Sequence, residues 1–379
     1  MTDTAYDVIV IGVGGMGSAA AYHLSEMGVD TLGIERYDIP HSMGSSHGVT
    51  RIIRRGQYEH PSYSPLVDAA YDRWRALEDT TGRDLLHITG GIDAGPPDSD
   101  IFTGSRTACE QHDIEHSVLD AATVNERFPG YEFPEHHQAV YQPESGFLVP
   151  EQCIIAHVEA AQENGAVIRA RETVESVSDT GGDEVAVETN RENYTAEQVI
   201  VTAGAWAQKI YPALQSHLTP VRQVLGWFQP ETVSWFEPEA FPIFVHETAT
   251  EHYYGFPIYD VPGFKLGKFN HRNQTVDPET MNRSPTQTDE SVLRSYVETY
   301  FPDAAGPTMQ LATCLFTNTP DNHFIIDSFP THPRVTVGVG FSGHGFKFAS
   351  VIGEILASLS MNQSHPYDID LFRIDRLRE

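Results

Sequence analysis

The chain is short of positive charge, and of lysine in particular. Lysine and arginine together number 24 against 53 aspartates and glutamates, and the only lysines are Lys209, Lys265, Lys268 and Lys347. The formal charge of −29 argues against nucleic acid and anionic membranes as partners, because both attract basic surfaces. An acidic surface with little lysine indicates adaptation to very high salt, where the Debye length falls to about 3 Å at 1 M. The few lysines that remain are therefore candidates for specific roles.

Cysteine and long apolar runs are also scarce. The three cysteines, Cys109, Cys153 and Cys314, are too few and too scattered for a disulfide framework or a zinc site, so we expect a reducing, cytoplasmic location. No run of about 18 apolar residues predicts a membrane span. The first residues lack the basic region and cleavage site of a signal peptide.

Histidine is frequent, with 18 in the chain, and raises the question of a metal site. His112 and His116 are four residues apart, but the segment between them looks like a helix passing into a strand, so the two need not share a face. We interpret both, and the adjacent His136 and His137, as surface residues. No metal site is predicted.

A strand, a glycine loop and a helix open the chain. Tyr6–Ile11 is a continuous apolar run, typical of a strand buried on both faces. Ser18–Met27 has helical spacing of its apolar residues, and Thr31–Ile34 predicts a second strand. The glycine loop between the first strand and the helix therefore lies where the dinucleotide fingerprint requires it.

The four fingerprint positions have separate physical roles. Gly12 makes the turn, and Gly14 lets the backbone approach a pyrophosphate at the helix N-terminus. Gly17 allows close packing of the helix on the strand. Glu35, at the end of the second strand, is placed to accept hydrogen bonds from ribose hydroxyls.

The fingerprint alone does not choose between NAD and FAD, but the rest of the chain does. An NAD domain would continue the βαβ winding, whereas this chain breaks off into a Pro/Gly/Ser/His loop at 38–48. A strand and small-residue turn recur only at 199–206, and a second glycine loop follows at 338–345. Several distant loops suit the long flavin dinucleotide, so we predict FAD as the cofactor.

The length and the order of elements predict two domains. Residues 86–145 look like an insertion, and residues 218–320 alternate strand signals with Pro/Gly turns, as in an antiparallel sheet. We predict an α/β fold in which a Rossmann-like FAD-binding domain carries an inserted antiparallel-sheet substrate domain of α+β type. The FAD-binding domain would comprise residues 1–85, 146–217 and 321–379, and the substrate domain residues 86–145 and 218–320.

Two groups of cations are candidates for the active site. Arg51, Arg54 and Arg55 follow the 38–48 loop, and arginine binds carboxylates through two parallel hydrogen bonds, although such a cluster can also be a solvated basic patch. Lys265 alternates with apolar neighbours in a strand-like segment, so it would point away from them, either into the protein or as an edge lysine that reaches solvent. By spacing alone, Cys314 is interpreted as a small core residue.

These segments resemble the family of monomeric sarcosine oxidase and N-methyltryptophan oxidase, in the amine-oxidising branch of the D-amino-acid-oxidase-like flavoproteins. The resemblance covers essentially the full length. Its most specific motifs are the sequences at 48–54, 253–257, 265–268, 323–327 and 341–349, together with Cys314.

The resemblance implies roles that spacing could not. Cys314 would carry FAD through a thioether, Lys265 would promote the reaction with oxygen, and Arg54 with Lys347 would hold the substrate carboxylate. The resemblance places Thr50, Arg51, Tyr254 and His344 around the flavin and the substrate. We also assign FAD binding to Gly12, Gly14, Gly17, Glu35, Arg36, Ser45, Val174, Gly204, Gly343 and Gly345.

Three positions on the substrate side of the flavin depart from the family pattern. Phe269 stands where family members commonly have histidine, Val245 where sarcosine oxidase has methionine, and Phe316 where it has tyrosine. His271 is a candidate for the missing imidazole. These departures leave the identity of the amine open.

The resemblance implies an FAD-dependent oxidase of a secondary amino acid, with dioxygen as acceptor and hydrogen peroxide as product. We expect a monomer that acts on a small amino-acid substrate. One alternative is a flavin dehydrogenase of the same superfamily, acting on an amino, imino or hydroxy acid and passing electrons to another carrier. A second is a non-catalytic flavin-binding protein, in which no amine would reduce the flavin.

Overall fold

The structure is a computed structural model, and it describes residues 4–179, 182–329 and 332–377. Its strands are β1 (Ala5–Ile11), β2 (Thr31–Ile34), β3 (Arg51–Ile53), β4 (Leu86–Ile88), β5 (Gly91–Gly95), β6 (Ser117–Asp120), β7 (Gln138–Gln142), β8 (Gly146–Leu148), β9 (Val167–Arg169), β10 (Val174–Asp179), β11 (Val185–Thr189), β12 (Asn193–Val201), β13 (Thr219–Phe228), β14 (Ile243–Glu247), β15 (His252–Phe256), β16 (Phe264–Lys268), β17 (Thr308–Asn318), β18 (Ile325–Phe329) and β19 (His332–Val339). Its helices are α1 (Gly15–Glu26), α2 (Tyr63–Thr81), α3 (Asp100–Gln111), α4 (Ala121–Arg127), α5 (Pro150–Glu163), α6 (Ala207–Ile210), α7 (Gln287–Tyr300) and α8 (Ala349–Ser360).

The first sheet is built around parallel strands. Its order is β10–β11–β12–β1–β2–β9, with β19 beside β12 and β18 beside β19. Strand β1 is parallel to both β12 and β2, as expected for a strand buried on both faces. Val8 and Val10 of β1 pack in one apolar cluster with helices α1, α2, α5 and α8, while Ile9 and Ile11 pack in the cluster on the opposite face.

The second sheet combines strands from two separate parts of the chain. Its order is β17–β13–β16–β15–β14–β5–β7–β6, and its pairs are antiparallel except for β14 with β5. Helix α7 packs with this sheet over an aromatic core that includes Phe228, Phe236, Phe241, Phe244, Phe264 and Phe301. A short third sheet, β3–β8–β4, carries Arg51 at its start. The predicted fold class, a Rossmann-like α/β fold with an antiparallel sheet, is confirmed, and the proposed domain bounds stay a prediction.

The stronger helix and strand signals are also confirmed. The predicted strands at Tyr6–Ile11 and Thr31–Ile34 are β1 and β2, and the predicted helix at Ser18–Met27 is α1. The glycine loop opens α1 as expected. None of the helices in the described ranges combines the length and apolar character needed to cross a membrane.

The interpretation of His137 as a surface residue is wrong. Only 3% of its surface is exposed, and its Nδ1 lies 3.0 Å from His246 Nε2, while the other ring nitrogen of His246 lies 2.7 Å from the Tyr296 hydroxyl. Burial lowers the pKa of His137 to about 4. The partner that buries this imidazole comes from a strand more than one hundred residues away, so the local sequence carries no sign of it. His112 and His136 are exposed, as expected.

Candidate active site

A long cavity begins at the glycine loop between β1 and α1. Gly12 has a φ of +91°, which favours glycine, and a Cβ there would come within 2.8 Å of the Ala203 and Thr202 backbone. Gly17 is not among the residues that line the cavity. It packs directly against the Gly12 carbonyl, and a Cβ on Gly17 would lie 1.8 Å from that oxygen. Both glycines therefore have the structural roles that the fingerprint assigns to them.

The same end of the cavity suits a nucleotide with a pyrophosphate. The N-cap residue of α1, Gly14, has no side chain, and the neutral hydroxyl of Ser46 accepts a hydrogen bond from Gly15 N at 3.3 Å. The first turn of α1 holds no acid, so the helix itself places no negative charge at the positive end of its dipole. No atom lies within 4 Å of the position of a Gly14 Cβ, so the backbone there is open to a ligand. Glu35 is 5% exposed and lines the cavity, with its oxygens 3.0 Å from Val13 N and 2.9 Å from Tyr37 N.

Arg36 forms part of the wall beside this end. Its guanidinium pairs with Glu279 in two hydrogen bonds, one of them 2.9 Å long, and lies over the rings of Tyr37 and Trp206. Glu279 also accepts a hydrogen bond from Trp206 Nε1 at 3.1 Å. The other predicted cofactor residues along the wall are Ser45, Val174, Gly204, Gly343 and Gly345.

The far end of the cavity is formed by β17 and the second glycine loop. Leu315, Phe316 and Thr317 line it, and the Thr317 hydroxyl is buried without a hydrogen-bond partner in the described ranges. A buried polar atom without a partner indicates a missing ligand atom or water. The glycine cradle, the helix N-terminus without an acid in its first turn and this hydroxyl together fit FAD.

Cys314 lies beside that end, next to Arg51. The thiol is 2% exposed, and its Sγ lies 3.6 Å from the Ser45 carbonyl and 3.5 Å from Arg51 Nη2. Arg51 itself lines the cavity and donates to the carbonyls of Ser45 at 2.8 Å and Thr50 at 2.9 Å. The structure therefore brings the predicted attachment cysteine and a fixed cation together at the edge of the cavity.

Lys265 is a central buried cation and not an edge lysine. Strand β16 lies between β13 and β15, where Lys265 is in register with Trp227 and Phe256. Its Nζ donates to the Gly48 carbonyl at 2.7 Å and to the carbonyl and hydroxyl of Thr50 at 2.8 Å. Burial and the neighbouring Arg51 hold its pKa well below the usual value for lysine.

Aromatic rings form the wall between Lys265 and the second glycine loop. The Tyr254 and Phe269 rings lie 5.1 Å apart, and Phe269 lies 6.1 Å from Phe316. Burial raises the pKa of Tyr254, so its hydroxyl stays protonated as a donor. His271 does not replace the missing imidazole, because it is fully buried with its Nε2 3.3 Å from an oxygen of Asp289.

Arg54 follows β3, whose first residue is Arg51, and is 2% exposed. Its Nη2 lies 3.0 and 3.1 Å from the two oxygens of Glu59, its Nη1 donates to the Gly56 carbonyl at 2.6 Å, and its Nε lies 3.6 Å from Asp93. Asp93 is 1% exposed and accepts from Ser105 at 2.7 Å. The guanidinium is thus held between one carboxylate from a loop and one from a strand.

Lys347 and His344 face the same group of charges. Lys347 donates to the His344 carbonyl at 2.9 Å, and the His344 Nδ1 lies 3.7 Å from Glu59. Burial lowers the pKa of Lys347 to about 8 even though Glu59 opposes it, and burial lowers the pKa of His344 to about 4. At neutral pH this cluster therefore contains an ammonium group and a neutral imidazole.

Sequence reasoning missed three carboxylates of the site. Glu59 contacts Arg54, Asp93 lies behind it, and Glu151 accepts the backbone N–H groups of Gly48 and Val49. Glu151 and Glu59 are two of 53 acids in the chain, so their type gave no signal. Asp93 gave a usable one, because an acid between Ile92 and Ala94 in an apolar segment is a candidate for a buried carboxylate, and such a group needs a partner.

Comparison with known proteins extends the likeness over the whole chain. Residues 7–359 match the family described as "FAD dependent oxidoreductase" (DAO). The chain is 39% identical over 378 residues to monomeric sarcosine oxidase of Bacillus sp. (strain B-0618), covering 98% of this chain and 96% of that protein. The sarcosine oxidase of Streptomyces avermitilis is 40% identical over 377 residues, with 98% of each covered. N-methyl-L-tryptophan oxidase of Yersinia pestis (strain Pestoides F) is 35% identical over 379 residues, covering 98% of this chain and all of that one.

Solved structures with the same fold are more distant in sequence. NikD, described as an unusual amino acid oxidase essential for nikkomycin biosynthesis, superposes with a TM-score of 0.84 at 23% identity, covering 98% of each chain. L-proline dehydrogenase from P. horikoshii superposes with a TM-score of 0.86 at 19% identity, covering 99% of this chain and 98% of that one. At these identities the likeness establishes the fold alone.

Proposed function

The chain belongs to the DAO family of FAD dependent oxidoreductases, and from this premise we propose that it is an oxidase of secondary, N-methyl amino acids such as sarcosine or N-methyltryptophan. Relatives with these activities align over 98% of the chain. The structural observation that carries the proposal is the position of the cations. Lys265 is held by Thr50, the residue before Arg51 of the cavity wall, and Arg54 and Lys347 both face the Glu59 carboxylate just beyond β3.

Bound FAD would supply the redox chemistry, in which two electrons from the carbon–nitrogen bond of the amine reduce dioxygen to hydrogen peroxide and leave an imine. The imine product hydrolyses in water, and an N-methyl amino acid would yield formaldehyde and the primary amino acid. The protein contributes binding, orientation and charge. Arg54 and Lys347 bind the substrate carboxylate, and the guanidinium fork and the point charge together serve both oxygens.

The neighbouring residues orient the substrate and the cofactor. Tyr254 and Thr50 offer hydroxyl groups on the side of Lys265, and the neutral His344 imidazole lies beside the carboxylate site. Phe269 closes the substrate side against Tyr254, which excludes water and favours an apolar N-substituent or side chain. Arg51 supplies positive charge at the edge of the cavity.

The cofactor is held by the cavity wall already described, with Gly12 and Gly14 at the pyrophosphate, Glu35 and Arg36 on the nucleotide side, and Cys314 at the other end. We propose that Cys314 bonds covalently to the flavin through a thioether. The position of its buried thiol supports this, because Sγ lies 3.5 Å from Nη2 of Arg51, a residue of the cavity wall.

The wider setting is also a proposal. The FAD-binding domain would comprise residues 1–85, 146–217 and 321–379, and the substrate domain the two intervening segments. We propose a monomer that works in the cytoplasm of a salt-adapted cell, which is supported by the formal charge of −29 and the four lysines.

One experiment tests the activity and its main alternative together. The purified protein is mixed without oxygen with sarcosine, N-methyltryptophan, N-methylalanine, proline and pipecolate, and the loss of flavin absorbance is followed. Rapid bleaching by N-methyl amino acids, followed by one peroxide per turnover in air, is the expected result. Bleaching with little peroxide and slow recovery in air would favour the dehydrogenase, and no bleaching by any amine would contradict both.

A further inference from the structure

The turn that holds Lys265 is strained and clamped from two sides. Gly48 has a φ of +96° and Val49 a φ of +75°, and a β-branched residue rarely adopts a positive φ. On one side, Glu151 Oε1 accepts the N–H of Gly48 at 2.6 Å and that of Val49 at 3.2 Å. On the other, Lys265 Nζ donates to the Gly48 and Thr50 carbonyls. The peptide groups of this turn thus lie between an anion and a cation.

Within the described part of the chain, the Lys265 ammonium has only neutral oxygens as direct hydrogen-bond partners. Its three hydrogen bonds end on two carbonyls and the Thr50 hydroxyl, and the rings of Phe256 and Trp227 lie 4.2 and 5.5 Å from its Nζ. A buried cation needs a compensating charge, because burial strongly disfavours its charged form. A carboxylate that compensates the charge of Lys265 must therefore act without a direct hydrogen bond to the ammonium.

The charged and titratable groups that face Lys265 come from four elements. Arg51 on β3 and His47 in the preceding loop do not compensate its charge, and Arg51 opposes it. Glu151 at the first turn of α5 favours the charged form, whereas Cys314 on β17 carries no charge when its sulfur is bonded to the flavin as proposed above. Among the residues that the structure describes, Glu151 forms no ion pair, and its Oε2 is buried without a hydrogen-bond partner. Its charge is therefore not already neutralised by a nearby cation.

We propose that Glu151 is a positioning residue for Lys265: its carboxylate fixes the strained turn that binds the ammonium and supplies the negative charge that balances it. Glu151 accepts the N–H of Val49 and Lys265 donates to the C=O of Gly48, and these two groups belong to one peptide unit. The anion and the cation therefore polarise that peptide unit in the same direction, which strengthens both hydrogen bonds. The inference rests on the proposed function only for its consequence, the reaction with oxygen, and not for the coupling itself.

The scarcity of lysine makes a direct test possible. Protein grown with lysine enriched in ¹³C at Cε should give signals from only four side chains, and Lys265→Met identifies the one of interest. The pH at which that signal titrates is measured in the oxidised holoenzyme, in Glu151→Gln and in Glu151→Asp. Glu163→Gln is the matched control, because Glu163 is exposed at the other end of α5 and the substitution changes the net charge equally.

The expected result is specific to the charge of Glu151. In Glu151→Gln the pKa of Lys265 should fall by about one unit or more, as expected on losing a nearby opposite charge. It should stay close to the wild-type value in Glu163→Gln and in Glu151→Asp, which keeps the charge even if the shorter side chain weakens the hydrogen bonds. An unchanged pKa of Lys265 in Glu151→Gln would overturn the inference.

A second measurement separates this inference from the proposed function. The rate at which reduced enzyme recovers its flavin absorbance in air is followed against pH, and in Glu151→Gln the high-pH loss of rate should move to lower pH by the same shift as the NMR titration. If the NMR titration shifts and the reoxidation profile does not, the coupling stands and the role of Lys265 with oxygen is wrong.

Discussion

The Glu59 carboxylate lies against the Arg54 guanidinium, with both of its oxygens within 3.1 Å of Arg54 Nη2. Burial alone would raise the pKa of Glu59, but the charges of Arg54 and Lys347 outweigh it and lower that pKa to about 2. Glu59 is therefore ionised at neutral pH and occupies the face of Arg54 that a substrate carboxylate would need. Binding of an amino acid at this site requires the replacement of one carboxylate by another.

Replacing Arg54 should weaken binding of substrates that carry a carboxylate. Hydrogen bonds between charged groups contribute about 1.5–3 kcal/mol, so Arg54→Ala should raise the KM for N-methyltryptophan at least about tenfold. The KM for N-methyltryptamine, which lacks the carboxylate, should change much less. Steady-state kinetics on this pair of amines provide the measurement.

A neighbouring arginine serves as the control for that experiment. Arg55 pairs with Asp68 and Glu144 and is 26% exposed, so Arg55→Ala should leave both KM values nearly unchanged. Glu59→Gln should lower the KM for N-methyltryptophan, because the competing carboxylate is gone. Equal losses on both amines in Arg54→Ala would contradict the assignment of Arg54 to the carboxylate.

Carboxylate binding should weaken as the pH rises through about 8. Burial lowers the pKa of Lys347 to about 8, so its positive charge is present below that pH and lost above it. Methoxyacetate, in which an ether oxygen replaces the amine, has no ionisation of its own in this range. Its Kd, measured from the change in flavin absorbance, should rise above pH 8. In Lys347→Met binding should be weaker and this rise should disappear; a rise that persists would assign the titration to another group.

The flavin should remain attached when the protein is unfolded. Acid-denatured protein should stay yellow, and its intact mass should exceed that of the chain by about one FAD if Cys314 forms the predicted thioether. Cys314→Ala should lose the colour on denaturation, whereas Cys153→Ala, in the apolar core, should keep it. Free flavin in the supernatant of denatured wild-type protein would show that the bond is absent.

Stability should rise with salt. Repulsion among the charges that give a net −29 destabilises the compact state until ions screen it. The Tm, followed by circular dichroism, should increase from low to molar KCl. Sucrose at matched water activity controls for the general exclusion of solutes from the protein surface, and it should increase the Tm less than KCl does. A Tm that is flat or falls in KCl would remove the high-salt interpretation.

Local patterns predicted the parts of the molecule that depend on neighbouring residues. The strand, glycine loop and helix at the start of the chain follow from periodicity and turn residues, and the structure agrees. Local patterns could not predict contacts between residues that lie far apart in the sequence. The His137 contact with His246 and the Glu151 clamp on Gly48 join segments about one hundred residues apart, and nothing within either segment indicates the other.

In the candidate site, too, some residues could be singled out from the sequence and others could not. Arg54 and Lys265 stood out as candidates because cations are scarce in this acidic chain, but their roles were assigned from the family resemblance. Glu59 and Asp93 were missed because the local sequence does not show which of 53 acids faces a given arginine. Spacing alone interpreted Cys314 as a core residue, which its 2% exposure also fits. The second role of Cys314 comes from the resemblance, and its position beside Arg51 and the cavity is compatible with that role.

Lys265 should control the reaction with oxygen more than the reaction with the amine. Dioxygen becomes an anion when it accepts its first electron, and a fixed cation in a site without water lowers the free energy of that charge. Lys265 is buried, and its Nζ is held by the Gly48 carbonyl and by the carbonyl and hydroxyl of Thr50, the residue before Arg51 of the cavity wall. A neutral replacement of similar length removes this stabilisation without opening a large hole.

We therefore expect Lys265→Met to separate the two half-reactions. Substrate should still bleach the flavin without oxygen at a rate within about tenfold of wild type, while recovery of the absorbance in air should slow at least about a hundredfold, the effect of removing one preorganised charge-stabilising group. Stopped-flow absorbance measures both rates. Lys268→Met is the matched control, because Lys268 lies on the same strand and pairs with Glu251 at 2.7 Å. Normal reoxidation in Lys265→Met with slow reoxidation in Lys268→Met would transfer the role to Lys268, and normal reoxidation in both would favour the dehydrogenase.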